Sequence, residues 1–170
     1  TIHHRVACCP DGGFGGVEGL VGYLGMESIA AIADATHPFA AQMSRQAHEA
    51  AGRTGLPLLR LERPPWERRD GDCWTIVQST EEAVAALPAG ARALVTIGRK
   101  DIGAFFARGG IGGVARMIEK QGQEIPAGWT VVLKRPPFSL RQELDFIAHH
   151  AITHLVSKNA GGTGTEAKLM

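Results

Sequence analysis

Short, nearly continuous apolar runs alternate with amphipathic stretches along the whole chain. The short apolar runs read as strands and the amphipathic stretches between them as helices. Strand and helix in turn specify an α/β fold with mostly parallel sheets, because neighbouring parallel strands need a crossover between them. The expected strands are 29–34, 56–62, 73–78, 91–98, 114–119, 129–135 and 152–158. The expected helices are 17–24, 38–54, 80–87, 101–108 and 140–150, and the chain closes on a further helical stretch, TEAKLM. Near-continuous hydrophobicity in the runs suits strands covered on both faces.

The segment RPPWERRDGD at 63–72 interrupts this pattern with two prolines and clustered charge, and a second series of strand and helix units follows it. The expected architecture is two small Rossmann-like lobes, 1–66 and 67–170, with a ligand cleft between them. In such sheets ligands lie outside the carboxyl ends of the strands. Two capping-box patterns, Ser79 with Glu82 and Ser139 with Gln142, mark helix starts, and Pro38 fits a first helical turn, where its missing N–H costs little. The glycine clusters at 12–16, 109–110 and 161–162 read as turns, without an internal repeat.

Lys and Arg total 18 against 17 Asp and Glu, so no global field draws this chain to nucleic acid or to an anionic membrane. Any anion site must be local. No apolar run approaches the roughly 20 residues of a membrane span, and the N-terminus lacks the apolar centre of a secretory signal, so the expected location is the cytoplasm. Cys8, Cys9 and Cys73 form no CxxC pair and read as idle or buried thiols. Neither an HExxH nor a GxSxG pattern occurs, and no metal site is expected.

Four strand ends carry residue types suited to anionic ligands. In DATHPFA (34–40), Thr36 suits a helix N-cap, His37 can donate to a carboxylate and Phe39 can stack on a flat ring; the plainer alternative is that Thr36 only caps and Phe39 only packs. In LRLERPPW (59–66), Arg60 and Arg63 with Trp66 can grip carboxylates and cover a ring, or can be solvated charges beside a loop tryptophan. In TIGRKD (96–101), Gly98 permits close backbone approach beside Arg99 and Lys100, although the segment is not a Walker loop. In LVSKNAGGTGTEAKL (155–169), Lys158 and Asn159 lead into Gly161 and Gly162, with Thr163 or Thr165 as cap; Lys168 either reaches back or is solvated. GGFGGVEG at 12–19 fails the GxGxxG fingerprint because Glu18 replaces a required glycine. His149 and His150 close a helix, where protonated imidazole suits the dipole.

The identity and order of GGFGGVEGL, DATHPFAAQMS, LLRLERPPW, TIGRKDI, IPAGWTVVL, RPPFSL and HLVSKNAGG followed by TEAKL resemble the precorrin-6A reductases of cobalamin biosynthesis along nearly the whole chain. The resemblance implies an NADPH-dependent enzyme that transfers hydride to a conjugated double bond of the macrocycle and yields precorrin-6B, without flavin or metal, and a monomer. It further implies substrate contacts at Thr36, His37, Phe39, Arg60, Arg63, Trp66, Arg99, Asn159, Gly161 and Gly162, and cofactor contacts at Asp34, Thr36, Pro38, Gly98 and Arg99. Lys158 and His37 are the candidate proton donors. Two features of the family pattern fall outside the chain as given, an opening strand with a GGTxEA loop and a closing strand, which leads to an expectation of weak NADPH binding by these 170 residues. Ala160 stands where serine is usual, and RPPF where RGPF is common. Two other readings compete: a non-catalytic module that binds a macrocycle or polyanion, and an NAD(P)-dependent reductase with a smaller carboxylated substrate.

Overall fold

A computed structural model describes residues 13–120 and 122–170, so Cys8, Cys9 and the VACC run lie outside the described residues. The chain divides into two compact units, Thr1–Arg63 and Pro64–Met170. The division falls at the start of the proline-rich stretch, and Trp66 sits with the second unit.

In the first unit the order is α1 (Gly16–Met26), β1 (Ile32–Asp34), α2 (Ala41–Thr54) and β2 (Leu58–Arg60). β1 and β2 are parallel, pairing Ile32 with Leu58 and Asp34 with Arg60, and α2 is their crossover. α1 packs Leu20 and Leu24 against Ala50 of α2, whose small side chain lets the helices approach closely. Glu18, the residue that spoils the glycine fingerprint, accepts two hydrogen bonds from the Arg53 guanidinium at 2.5 and 2.9 Å and ties α1 to the end of α2. β1 begins three residues later than its apolar run because the Ile29 N–H donates to Leu24 O at 3.0 Å, so the run's first residues close α1. α2 likewise starts at Ala41, with Ala40 as N-cap and no side-chain cap bond. The expectations that Thr36 caps this helix and that Pro38 lies in its first turn are therefore corrected: a separate turn, closed by Ala40 N–H to His37 O at 2.7 Å, intervenes.

The second unit contains α3 (Thr80–Ala86), β3 (Arg92–Val95), α4 (Ile102–Ala107), β4 (Gly112–Met117), β5 (Trp129–Leu133), α5 (Leu140–His149), β6 (His154–Val156) and a 3-10 segment, Thr163–Leu169. Its four strands form one parallel sheet in the order β5-β4-β3-β6. Alternate residues of a strand face opposite sides. Ala93, Val95, Ala115 and Met117 pack with Ile102 and Phe105 of α4, whereas Arg116 meets Glu143 of α5, so α4 and α5 cover opposite faces. This arrangement follows from right-handed crossovers running in opposite directions along the sheet.

Two expectations for this unit are corrected. Residues 73–78 join no ladder, and Ile76 is 80% exposed; β-branched composition favours a strand only where a partner and a packed face exist. TEAKL forms tight 3-10 turns with Gly162 as N-cap, not an α-helix capped by Thr163 or Thr165. Burial, with His149 and Arg92 nearby, lowers the His150 pKa from the usual imidazole value. Of the two capping boxes, Ser139 with Gln142 is complete, while the Glu82 carboxylate accepts from Gln78 N–H instead of returning to Ser79. The sequence signal was the same in both.

Candidate functional site

β3 is followed in the sheet by β4 on one side, whereas β6 arrives on its other side after β5 and α5. The strand order therefore reverses between β3 and β6, and the crevice at their carboxyl ends is the place where such a sheet leaves room for a ligand. Two loops border it, 96–101 and 157–162. Thr96 N–H donates to Val156 O at 2.9 Å, extending the ladder to the mouth of the crevice. Beyond it Gly98 adopts φ 93°, and a Cβ built there would meet nothing within 4 Å, so the backbone is open to close approach. Lys158 Nζ donates to Asp101 Oδ2 at 2.7 Å and so joins the two loops. Arg99, exposed, pairs with Glu119 at 3.2 Å.

The second loop is held from behind. The Asn159 side chain accepts from Trp66 N–H and donates to Trp66 O, both at 2.8 Å, copying the exchange of a backbone pair. The Trp66 indole N–H donates to Gly162 O at 2.7 Å, and Gly162 N–H donates to Pro64 O at 3.1 Å. Asn159, Gly162 and the polar edge of Trp66 are thereby occupied in fixing the loop, and Gly161 is buried. These residues fix the shape of the loop that borders the crevice.

Lys168 reaches back, and its Nζ lies 4.8 Å from the centroid of the Trp66 ring. Burial, reinforced by the nearby Arg116 charge and offset by Glu143, lowers its pKa from 10.5 to about 8. A lysine whose folded-state pKa is lowered binds fewer protons folded than unfolded between those two values, so stability rises with pH across that interval. The protein is expected to gain about 1–2 kcal/mol between pH 7 and 9.5, and Lys168→Met to be more stable at pH 7 by a similar amount with that gain abolished. Urea unfolding of both proteins at the two pH values checks this; equal pH dependence would refute it. The Trp66 ring favours the ammonium and keeps the effect below what burial alone would produce.

In the first unit, Asp34 ends β1 and is buried. Its Oδ1 accepts from the Thr36 N–H at 3.1 Å and from the Thr36 hydroxyl at 2.7 Å. Burial raises its pKa, but bonds from the Thr36 hydroxyl, Ser44 and the Thr36 N–H, with the Arg60 charge, outweigh it and hold the carboxyl below the usual range. Thr36 thus braces the turn. That turn presents His37 and Phe39 at the surface, their rings 5.8 Å apart. Phe39 N–H donates to His37 Nδ1 at 3.2 Å, which leaves the ring proton of the neutral form on Nε2. Pro38 lies between them. Arg60, opposite Asp34 in the register, pairs with Glu62 at 2.6 Å, and Arg63 is exposed at the end of the unit.

Residues 5–170 match the family described as precorrin-6x reductase CbiJ/CobK. The chain belongs to that family. It is 44% identical over 161 residues to the precorrin-6A reductase of Rhodobacter capsulatus, covering 94% of this chain and 64% of that protein. The precorrin-6A reductase of Rhodococcus erythropolis is 41% identical over 159 residues, covering 93% of this chain and 64% of its own length. A solved CobK precorrin-6A reductase superposes with a TM-score of 0.87 at 43% identity, over 92% of this chain and 63% of that one. The chain therefore spans a little under two thirds of the length of these relatives. Membership of the precorrin-6x reductase family agrees with the mixed α/β architecture and its two parallel sheets. Among the described residues no cluster of His, Cys, Asp and Glu could hold a metal ion, and no helix is long and apolar enough to cross a membrane.

Proposed function

We propose that this protein reduces precorrin-6A to precorrin-6B with NADPH, hydride passing to a conjugated double bond of the macrocycle. The observation that carries the reading is the crevice between β3 and β6, where the Gly98 backbone, Arg99 and Lys158 collect at the point of strand reversal in a member of this family. A ring bearing acetate and propionate groups needs several cationic anchors. Lys158 offers a compact point charge, and Arg99 an exposed fork able to exchange Glu119 for a carboxylate or phosphate.

The donor set suits a phosphate-bearing cofactor. Open space at Gly98 lets backbone N–H groups approach an anion, and Arg99 follows directly. Asp34 and Thr36 hydrogen-bond each other and so hold the His37–Pro38 turn in shape. When bound, the nicotinamide supplies the hydride. The accompanying proton needs a donor, and His37, whose neutral ring carries its proton on Nε2, and Lys158 are the candidates. Phe39, exposed beside His37, offers a stacking face for a flat ring. The reading carries with it a cytoplasmic, monomeric enzyme.

Incubating the native full-length protein with precorrin-6A and NADPH without oxygen tests the proposal. One NADPH should be oxidised per macrocycle, with the matching change in the pigment spectrum. His37→Ala is expected to lower kcat by about 10²-fold, the range of a lost general acid, with a smaller change in KM. Absence of NADPH oxidation by folded wild-type protein would overturn the assignment.

A further inference from the structure

Asp101 stands at the N-cap of α4, where an aspartate ordinarily accepts a hydrogen bond from the first helical N–H groups. It does not do so here. Its side chain makes no cap bond and instead turns across the crevice to take the Lys158 ammonium at 2.7 Å. The two residues are 57 apart in sequence and lie on the loops that leave two neighbouring strands, β3 and β6. Both side chains are about one third exposed, at 32% and 35%, so the pair is open to an incoming ligand.

We propose that Asp101 is a positioning residue that holds the Lys158 ammonium at the mouth of the crevice, ready to receive a carboxylate or phosphate group of the ligand. The proposal rests on the reading of this crevice as the ligand site. Lysine is a long, flexible side chain, and an untethered ammonium loses much rotamer freedom when it binds. Asp101 removes that freedom beforehand. Asn159 fixes the next position of the same loop through the Trp66 backbone, so the stem of Lys158 starts from a rigid base. With Arg99 and Lys100 on the opposite loop, the local balance stays positive after Asp101 and Glu119 are counted, and an anion is still attracted.

The test uses the native full-length protein and the variants Asp101→Asn, Asp101→Glu, Lys158→Ala and the double variant Asp101→Asn with Lys158→Ala. Two probes are titrated by fluorescence, NADPH for a phosphate and uroporphyrin for a ring carboxylate. Asp101→Asn should weaken one probe by about tenfold and leave the other unchanged, and the probe affected identifies the anion. Lys158→Ala should weaken the same probe, the double variant should be no worse than Lys158→Ala, and Asp101→Glu should recover most of the affinity. In turnover the loss should appear in KM with kcat within about twofold, a split that a general loss of structure would not produce. Unchanged affinity in Asp101→Asn, additive losses in the double variant, or a fall in Tm with both affinities lost together would each overturn the positioning role. Failure of the wild type to bind either probe would overturn the ligand site itself, and the positioning role with it.

Discussion

Replacing Glu143 by alanine is expected to destabilise the second unit by about 3–5 kcal/mol, the cost of leaving a buried charge without its partner. Glu143 accepts two hydrogen bonds of 2.8 Å each from the Arg116 guanidinium, with side chains only 2% and 6% exposed. The guanidinium lies 4.3 Å from the Phe138 ring centroid and 5.3 Å from that of Phe146, so aromatic rings as well as the carboxylate surround it. Removal of Glu143 would also leave Arg116 facing Lys168 as an uncompensated like charge. Urea denaturation of Glu143→Ala measures the loss, and a change below about 1 kcal/mol would show that the pair is not desolvated. Replacing both partners together, as Arg116→Met with Glu143→Leu, should recover most of the stability, because matched apolar groups avoid the desolvation cost that the ion pair carries.

The second large effect is expected at Gly113. This residue lies in β4 directly opposite Ala93 of β3, with φ 139°, and a Cβ there would stand 2.1 Å from the Ala93 carbonyl oxygen and 2.6 Å from its nitrogen. Both groups are backbone in the middle of the sheet, so neither can turn aside. Gly113→Ala should therefore cost more than about 4 kcal/mol, enough to abolish soluble expression of a domain of ordinary stability. Gly109→Ala is the matched control, since its Cβ would meet nothing within 4 Å. A Gly113→Ala protein that melts within about 3 °C of wild type would contradict the close strand contact.

The two helices of the first unit and the strands of the second were readable because burial leaves a local trace. β4 is a nearly unbroken run of buried residues, and the start of α5 is marked by a complete Ser139–Gln142 cap. Where local signals misled, a competing local bond was the cause. Ile29 and its neighbours have strand composition but close α1, and Thr36 has the chemistry of an N-cap but answers to Asp34 two residues earlier. Residues 73–78 show the converse, a strand composition for which the fold supplies no partner.

The candidate site divides in the same way. Strand ends rich in glycine and basic residues marked the loops at 96–101 and 157–162, but not what their side chains hold. Lys158 meets an aspartate 57 residues away, and Asn159 closes on Trp66 across 93 residues. Asp101 itself, read only as the start of a helix, carried no separate signal.

By itself the sequence determined the alternation of strands and helices, the parallel sense of the sheets that follows from it, and the family, through motifs in a fixed order. These depend on the period of hydrophobicity and on short runs of identity, which are properties of neighbouring residues. Tertiary structure alone decided that β6 lies beside β3, that the crevice therefore opens between them, that Arg116 is neutralised inside the second unit, and that Lys168 is drawn over Trp66. Each of these is a pairing between distant segments, chosen by which faces and charges can be buried together, and no local pattern encodes that choice.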